Sequence, residues 1–266
     1  MANLKIGVFG CGNMGRALVQ AMNAQWPKTE FFLYTPSITK AQDLAQVVGG
    51  VCLKQIEEMP KDLDWYLLAF KPQSLGDFQF SFNGDSKIIS VLAGVKVLKL
   101  SEKFKVKKIA RLMPNTPSAL GAGANLHFFN TTFNPDEIAE IYSLLQATGK
   151  IFPMSSEEDL DISTAFSGSG PALIFELARI FESELTRLTE GRVPAKEIIA
   201  QTFFGSSTLM NSALQKEISF EELRNQVTSK KGVTYEALEV LQANKLQSIF
   251  ASAFAAAYKR TLELSK

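Results

Sequence analysis

The sequence predicts an α/β protein in two parts: an N-terminal Rossmann-type, doubly wound, mostly parallel sheet, followed by an all-helical C-terminal domain. Short apolar runs alternate with amphipathic segments from residue 3 to about 153. A glycine-rich turn directly follows the first run. After about residue 155 the strand-like runs stop and apolar positions recur every three or four residues instead. The expected domains are therefore 1–154 and 155–266.

Ile6 to Phe9, Phe31 to Tyr34, Trp65 to Ala69, Ile88 to Val91 and Ile109 to Met113 read as strands. Met14 to Gln25 and Ile38 to Val48 read as helices between them, so the strands belong to βαβ units with helices on both faces. In the second part, Ile174, Leu177, Phe181, Leu185 and Leu188 mark one long helix over Pro171 to Thr189, with the proline in its first turn. Pro194 opens a second helix carrying Ile198, Phe203, Leu209, Met210 and Ala213. A last helix from Leu246 to Leu264 bears Ile249, Phe250, Phe254 and Tyr258 among several alanines that let another helix approach. Its apolar face is too wide for a lone chain in water and predicts burial against a second copy.

Composition excludes several classes. With 46% apolar and 21% charged residues the chain folds rather than staying disordered, and a net charge of +1 gives no field for nucleic acid or an anionic membrane. Lys103, Lys105, Lys107 and Lys108 read as a solvated turn before a strand. Two cysteines, Cys11 and Cys52, make neither a disulfide framework nor a zinc site. The lone His127 lies in an apolar stretch and reads as structural, so no metal ligand set is expected. Met1 to Lys5 carry no signal-peptide core, and no window approaches the roughly 20 apolar residues of a membrane helix. A cytoplasmic location is the expectation.

The segment Ile6 to Gly15 fits the dinucleotide fingerprint. Gly10 permits the tight turn, Gly12 lets the backbone reach a pyrophosphate, Gly15 lets helix pack on strand, and the helix from Met14, with Asn13 just before it, aims its N–H groups at the phosphates. The next strand ends Leu33-Tyr34-Thr35-Pro36-Ser37, without the carboxylate that binds an unphosphorylated ribose. Thr35 and Ser37, with Lys40 a turn on, suit a 2′-phosphate instead, so NADPH is expected over NADH. Loops after Ala69, Val91 and Met113 line the same crevice. Prolines stiffen them, and Asn115 offers an amide for the nicotinamide carboxamide.

Three further motifs follow in order: Ala69-Phe70-Lys71-Pro72-Gln73, Arg111-Leu112-Met113-Pro114-Asn115-Thr116-Pro117 and Ser167-Gly168-Ser169-Gly170-Pro171-Ala172. With the glycine turn they resemble the pyrroline-5-carboxylate reductase family, whose members make proline, from about residue 5 to the C-terminus. The resemblance implies that Lys71, Pro72, Ala93, Gly94 and Asn115 lie along the cofactor, with Ala93-Gly94-Val95 near the nicotinamide. It implies Thr164 beside the substrate ring nitrogen, as the catalytic group, and Glu217 near the substrate loop. That loop reads Ser-Pro-Gly-Gly-Thr-Thr in the family and Ser229-Lys230-Lys231-Gly232-Val233-Thr234 here. A carboxylate there would meet a helix N-terminus and the hydroxyls of Ser229 and Thr234, with Gly232 and Val233 between them. The family also implies an interlocked homodimer, with rings of dimers in some members.

A cyclic imine is already activated, so a chain with no catalytic His, Lys or Asp cluster suits its reduction better than that of a ketone, which needs a strong acid. A hydroxyacid dehydrogenase would be expected to carry a lysine on the long helix, and Pro171 to Thr189 has none. The altered Lys230, Lys231 and Val233 leave two alternatives open: a related reductase of another imine or hydroxyacid, or a non-catalytic NADP-binding sensor.

Overall fold

The structure, a computed structural model, describes residues 3–264. Its strands are β1 (Lys5–Phe9), β2 (Glu30–Tyr34), β3 (Val51–Cys52), β4 (Trp65–Leu68), β5 (Lys87–Ser90), β6 (Lys108–Met113), β7 (Gly123–Phe129) and β8 (Gly149–Pro153). Its helices are α1 (Asn13–Gln25), α2 (Ile38–Val48), α3 (Val97–Phe104), α4 (Pro135–Gln146), α5 (Glu157–Ser167), α6 (Gly170–Thr189), α7 (Ala195–Leu214), α8 (Phe220–Gln226), α9 (Val233–Ala243) and α10 (Leu246–Leu264). All five predicted strands form, and the helices read over 38–48 and 246–264 keep those limits.

The sheet runs β3-β2-β1-β4-β5-β6-β7-β8. The pairs from β3 through β6 are parallel, β7 is antiparallel to β6, and β8 is parallel to β7. Chain order reverses at β1, between β2 and β4, and that reversal opens a crevice at the strands' carboxyl ends. Strand β4, Trp-Tyr-Leu-Leu, is buried throughout, as a central parallel strand covered on both faces must be. One apolar layer gathers Ile6, Val8, Leu18, Leu44, Trp65 and Leu144; the other gathers Phe9, Tyr66, Leu68, Leu100 and Phe104. Capping boxes, Asn134 with Glu137 and Ser219 with Glu222, fix the starts of α4 and α8.

The chain divides into two compact units later than the sequence reading placed the boundary. One unit ends at Pro171 and includes the last turns of α10 from Ala256; the other is Ala172–Ala255. Helix α5 joins the sheet because Arg111 on β6 forms ion pairs with Glu157 and Asp161. In the second unit only Ala195 and Ala213 are buried, while Phe175, Phe204, Leu209 and Val240 are exposed. No helix among the described residues is long and apolar enough to cross a membrane.

His127 is buried on β7 with Nε2 3.0 Å from the Tyr142 hydroxyl, and its Nδ1 has no partner. Burial pushes its pKa down to about 4. An unfolded chain takes up this proton near pH 6.5, the folded one only near 4, so the unfolded state binds more protons in between. The His127 contribution is therefore fully present above about pH 6.5 and lost as pH falls towards 4, a change of roughly 2–3 kcal/mol. Thermal melts from pH 7 to 4.5 should show this loss, and His127→Gln should flatten that part of the profile.

Candidate active site

At the end of β1, Gly10 takes φ 110°, and its N–H donates to the Tyr34 carbonyl at 2.8 Å. A Cβ there would lie 2.5 Å from the Ala69 backbone. A Cβ on Gly15 would run into the Gly10 carbonyl oxygen. Both glycines are thus required by the fold itself. Gly12 differs: its backbone is extended (φ −74°, ψ −172°), and an added Cβ would meet nothing within 4 Å. It caps α1 without a side chain, and the first intrahelical bond is Arg16 N–H to Gly12 C=O. The N–H groups of Asn13, Met14 and Gly15 precede that bond and are the natural donors to an anion.

Gly10 and Gly12 border a cleft of about 590 Å³ that Thr35, Ser37, Lys40 and Lys71, among others, also line. Ser37 occupies the N-cap of α2 yet makes no capping bond; its hydroxyl lies 3.3 Å from that of Thr39. Lys40 and Lys71 are exposed and in no ion pair among the described residues. An uncapped helix start, an open Gly12 face and two free ammonium groups fit a phosphorylated dinucleotide. Sequence reasoning missed the cleft's apolar wall, Ile56, Phe70 and Phe78, and its one acid, Asp77. The rings of Phe70 and Phe78 stack with centroids 4.7 Å apart. The alternation Phe78-x-Phe80-x-Phe82 was the available signal. The Cys11 thiol, in the turn but buried, is pushed up to about 12 by desolvation and stays protonated.

Further along the sheet's carboxyl edge, Pro72 opens a short 3-10 turn after Lys71, and Gly94 takes φ 75° in the loop after β5. Ala93, half-buried, packs against Met113, Leu126 and Leu160. Asn115 is 9% exposed and braced at both ends: its Oδ1 accepts from Ala124 N–H at 2.9 Å, and its Nδ2 donates to the Ser167 carbonyl at 3.1 Å. This tie qualifies the expected amide contact with the nicotinamide, leaving one Nδ2 hydrogen for it. Thr164, half-buried on α5, donates its hydroxyl proton to the Leu160 carbonyl at 2.6 Å. Its oxygen is therefore an acceptor towards anything else, not an acid.

In the second unit, α9 starts at Val233 with Gly232 as a cap lacking any side-chain bond. The Ser229 carbonyl accepts from Gly232 N–H at 3.0 Å, and a Cβ on Gly232 would collide with the Ser229 hydroxyl. Lys231 sits at φ 56°, the left-handed region that glycine takes without penalty. Val233 and Thr234 are exposed. Glu217 is exposed in the turn before α8 at φ 55°, and among the described residues no hydrogen bond or ion pair joins it to Ser229–Thr234.

A doubly wound sheet with this glycine turn, followed by a helical half, marks the chain as an oxidoreductase of the NADP-dependent kind. Residues 5–94 match the family model "NADP oxidoreductase coenzyme F420-dependent", and residues 157–264 match "Pyrroline-5-carboxylate reductase dimerisation". The chain is 30% identical to the pyrroline-5-carboxylate reductase of Staphylococcus saprophyticus over 98% of both chains. A pyrroline-5-carboxylate reductase structure from Coxiella burnetii superposes with a TM-score of 0.84 at 30% identity, covering 99% of each chain. That of Plasmodium falciparum with NADP bound has the same fold, with a TM-score of 0.81 at 22% identity and full coverage of both chains. The chain belongs to the pyrroline-5-carboxylate reductase family.

Proposed function

We propose that this chain reduces 1-pyrroline-5-carboxylate to L-proline with NADPH, as a cytoplasmic homodimer acting in proline biosynthesis. The observation that carries the reading is identity running through nearly the whole length of both this chain and reductases of that name. It does not favour the sensor or hydroxyacid alternatives. The exposed apolar side chains of α6, α7, α9 and α10, on a unit with two buried residues, support the dimer.

Gly12 and the first turn of α1 take the pyrophosphate, and Thr35 and Ser37, with Lys40, take the 2′-phosphate. Lys71, Pro72, Ala93, Gly94 and Asn115 hold the nicotinamide end. Bound NADPH supplies the hydride. Ser229, Gly232, Val233 and Thr234 receive the substrate carboxylate, and the family resemblance assigns Glu217 to the vicinity of the same loop. Thr164 Oγ1, whose own proton faces Leu160, accepts a hydrogen bond from the N–H of the protonated imine and so orients its carbon. The protonated imine becomes a neutral amine when hydride arrives, which explains why no strong acid is needed.

Turnover of NADPH with the imine acid, with proline as the product, tests the proposal; a folded chain that makes no proline overturns it. The cofactor assignment has its own test. Fluorescence titration should show NADPH bound more tightly than NADH. Lys40→Ala should weaken NADPH about tenfold, the worth of one hydrogen bond to a charged group, and leave NADH within about twofold.

A further inference from the structure

Helix α5 is held to the sheet by directional bonds as well as apolar packing. Arg111 on β6 is fully buried; its Nη1 donates to Glu157 Oε1 at 2.9 Å and its Nη2 to Asp161 Oδ1 at 2.7 Å. The same Glu157 oxygen accepts from Val97 N–H at 2.9 Å, at the start of α3 and directly after the Ala93–Gly94 loop. At the other end of α5, Asn115 Nδ2 donates to the Ser167 carbonyl. Thr164 lies between the two ties, and spacings of three and four residues put it on the face of Glu157 and Asp161.

We infer that Arg111 is a positioning residue for the reduction: through Glu157 and Asp161 it sets the register of α5, and so of Thr164, against the loops that hold the nicotinamide. The inference rests on the proposed function for the role of Thr164, but the clamp itself is a property of the chain. Desolvating a guanidinium and a carboxylate is costly, and apolar residues of similar volume commonly stabilise a core as well or better. What an ion pair adds is direction. The planar fork of Arg111 fixes two carboxylates one helical turn apart, which closes both sliding and rotation of α5. One shared oxygen on Glu157 ties that register to the start of α3, just after the Ala93–Gly94 loop, so β6, α5 and α3 meet at one cluster. A hydride donor and acceptor misplaced by about 1 Å lose on the order of a hundredfold in rate.

The test uses the full-length chain with Asp161→Asn, Arg111→Lys and the double variant Arg111→Met/Asp161→Leu, which leaves no unpaired charge at the fully buried end of the pair. At a temperature well below each melting point, Asp161→Asn and the double variant should lower kcat at least about tenfold with the NADPH Kd within about twofold. Arg111→Lys, keeping one carboxylate contact, should recover part of the loss. Hydrogen exchange across α5 should rise at least about tenfold in the double variant while β1, β4 and β5 keep their protection. If the double variant does not fold, Glu157→Gln, at the partly exposed end of the pair, carries the same expectations on a smaller scale. A folded double variant with unchanged kcat, or unchanged exchange in α5, overturns the inference. A wild-type chain that lacks turnover yet shows the exchange effect sinks the functional reading and leaves the clamp standing.

Discussion

Gly12→Val is expected to reduce NADPH affinity by more than about a hundredfold while the chain stays folded. A Cβ at Gly12 meets no protein atom within 4 Å, and the backbone there is extended, so valine fits the chain's own geometry. As a poorer N-cap it should cost about 1 kcal/mol, lowering the melting temperature by roughly 2–4 °C. Its branched side chain, however, fills the space where pyrophosphate must reach the first N–H groups of α1. Gly10→Val and Gly15→Val provide the contrast: both put a side chain into backbone atoms, so both should fail by destabilisation. Isothermal titration beside thermal melts separates the outcomes. NADPH binding retained by a folded Gly12→Val chain would remove the turn from the cofactor site.

Thr234→Ala is expected to raise KM for the imine acid about ten- to a hundredfold with NADPH affinity nearly unchanged, because a hydrogen bond to a charged group is worth roughly 1.5–3 kcal/mol. Thr234 is exposed in the first turn of α9, beyond a cap that offers no side chain. Lys231 reaches this turn at φ 56°, a conformation costing a non-glycine residue roughly 1–2 kcal/mol. The chain therefore keeps a backbone shape suited to glycine while presenting an ammonium. Restoring Pro-Gly at positions 230 and 231 should relieve that strain and weaken the salt dependence of KM without abolishing turnover. Steady-state kinetics at two ionic strengths reads both effects. An active Thr234→Ala enzyme with unchanged KM would take the loop out of the substrate site.

Much of this was legible because local physics dictates it. Continuous apolar runs bounded by turns marked β1, β2, β4, β5 and β6, and a 3.6-residue period marked α2, α6 and α10. The glycine turn was legible because Gly10 and Gly15 each answer a steric demand of the fold itself. Pairings far apart in sequence were not legible. Arg111 finds Glu157 and Asp161 46 and 50 positions away, and that is why α5 falls with the sheet instead of the helices that follow it. Asn115 looked free in a rigid loop, but Ala124 and Ser167 engage its amide. The two-residue β3 lacks the length to show a period, and the return of β7 against β6 depends on a partner strand that no local pattern names. Phe78, Phe80 and Phe82 alternate as a strand would, yet form an irregular segment whose rings pack around Phe9.

The proposed reaction is hydride transfer from NADPH to the carbon of a cyclic imine. The most direct measurement follows that atom. NADPH deuterated at the transferring position of nicotinamide C4 is incubated with the chain and 1-pyrroline-5-carboxylate, and the proline formed is analysed by mass spectrometry and NMR. The expected result is one deuterium per proline, on the ring carbon next to nitrogen and remote from the carboxylate. Unlabelled proline, or NADPH consumed without proline, would contradict the account.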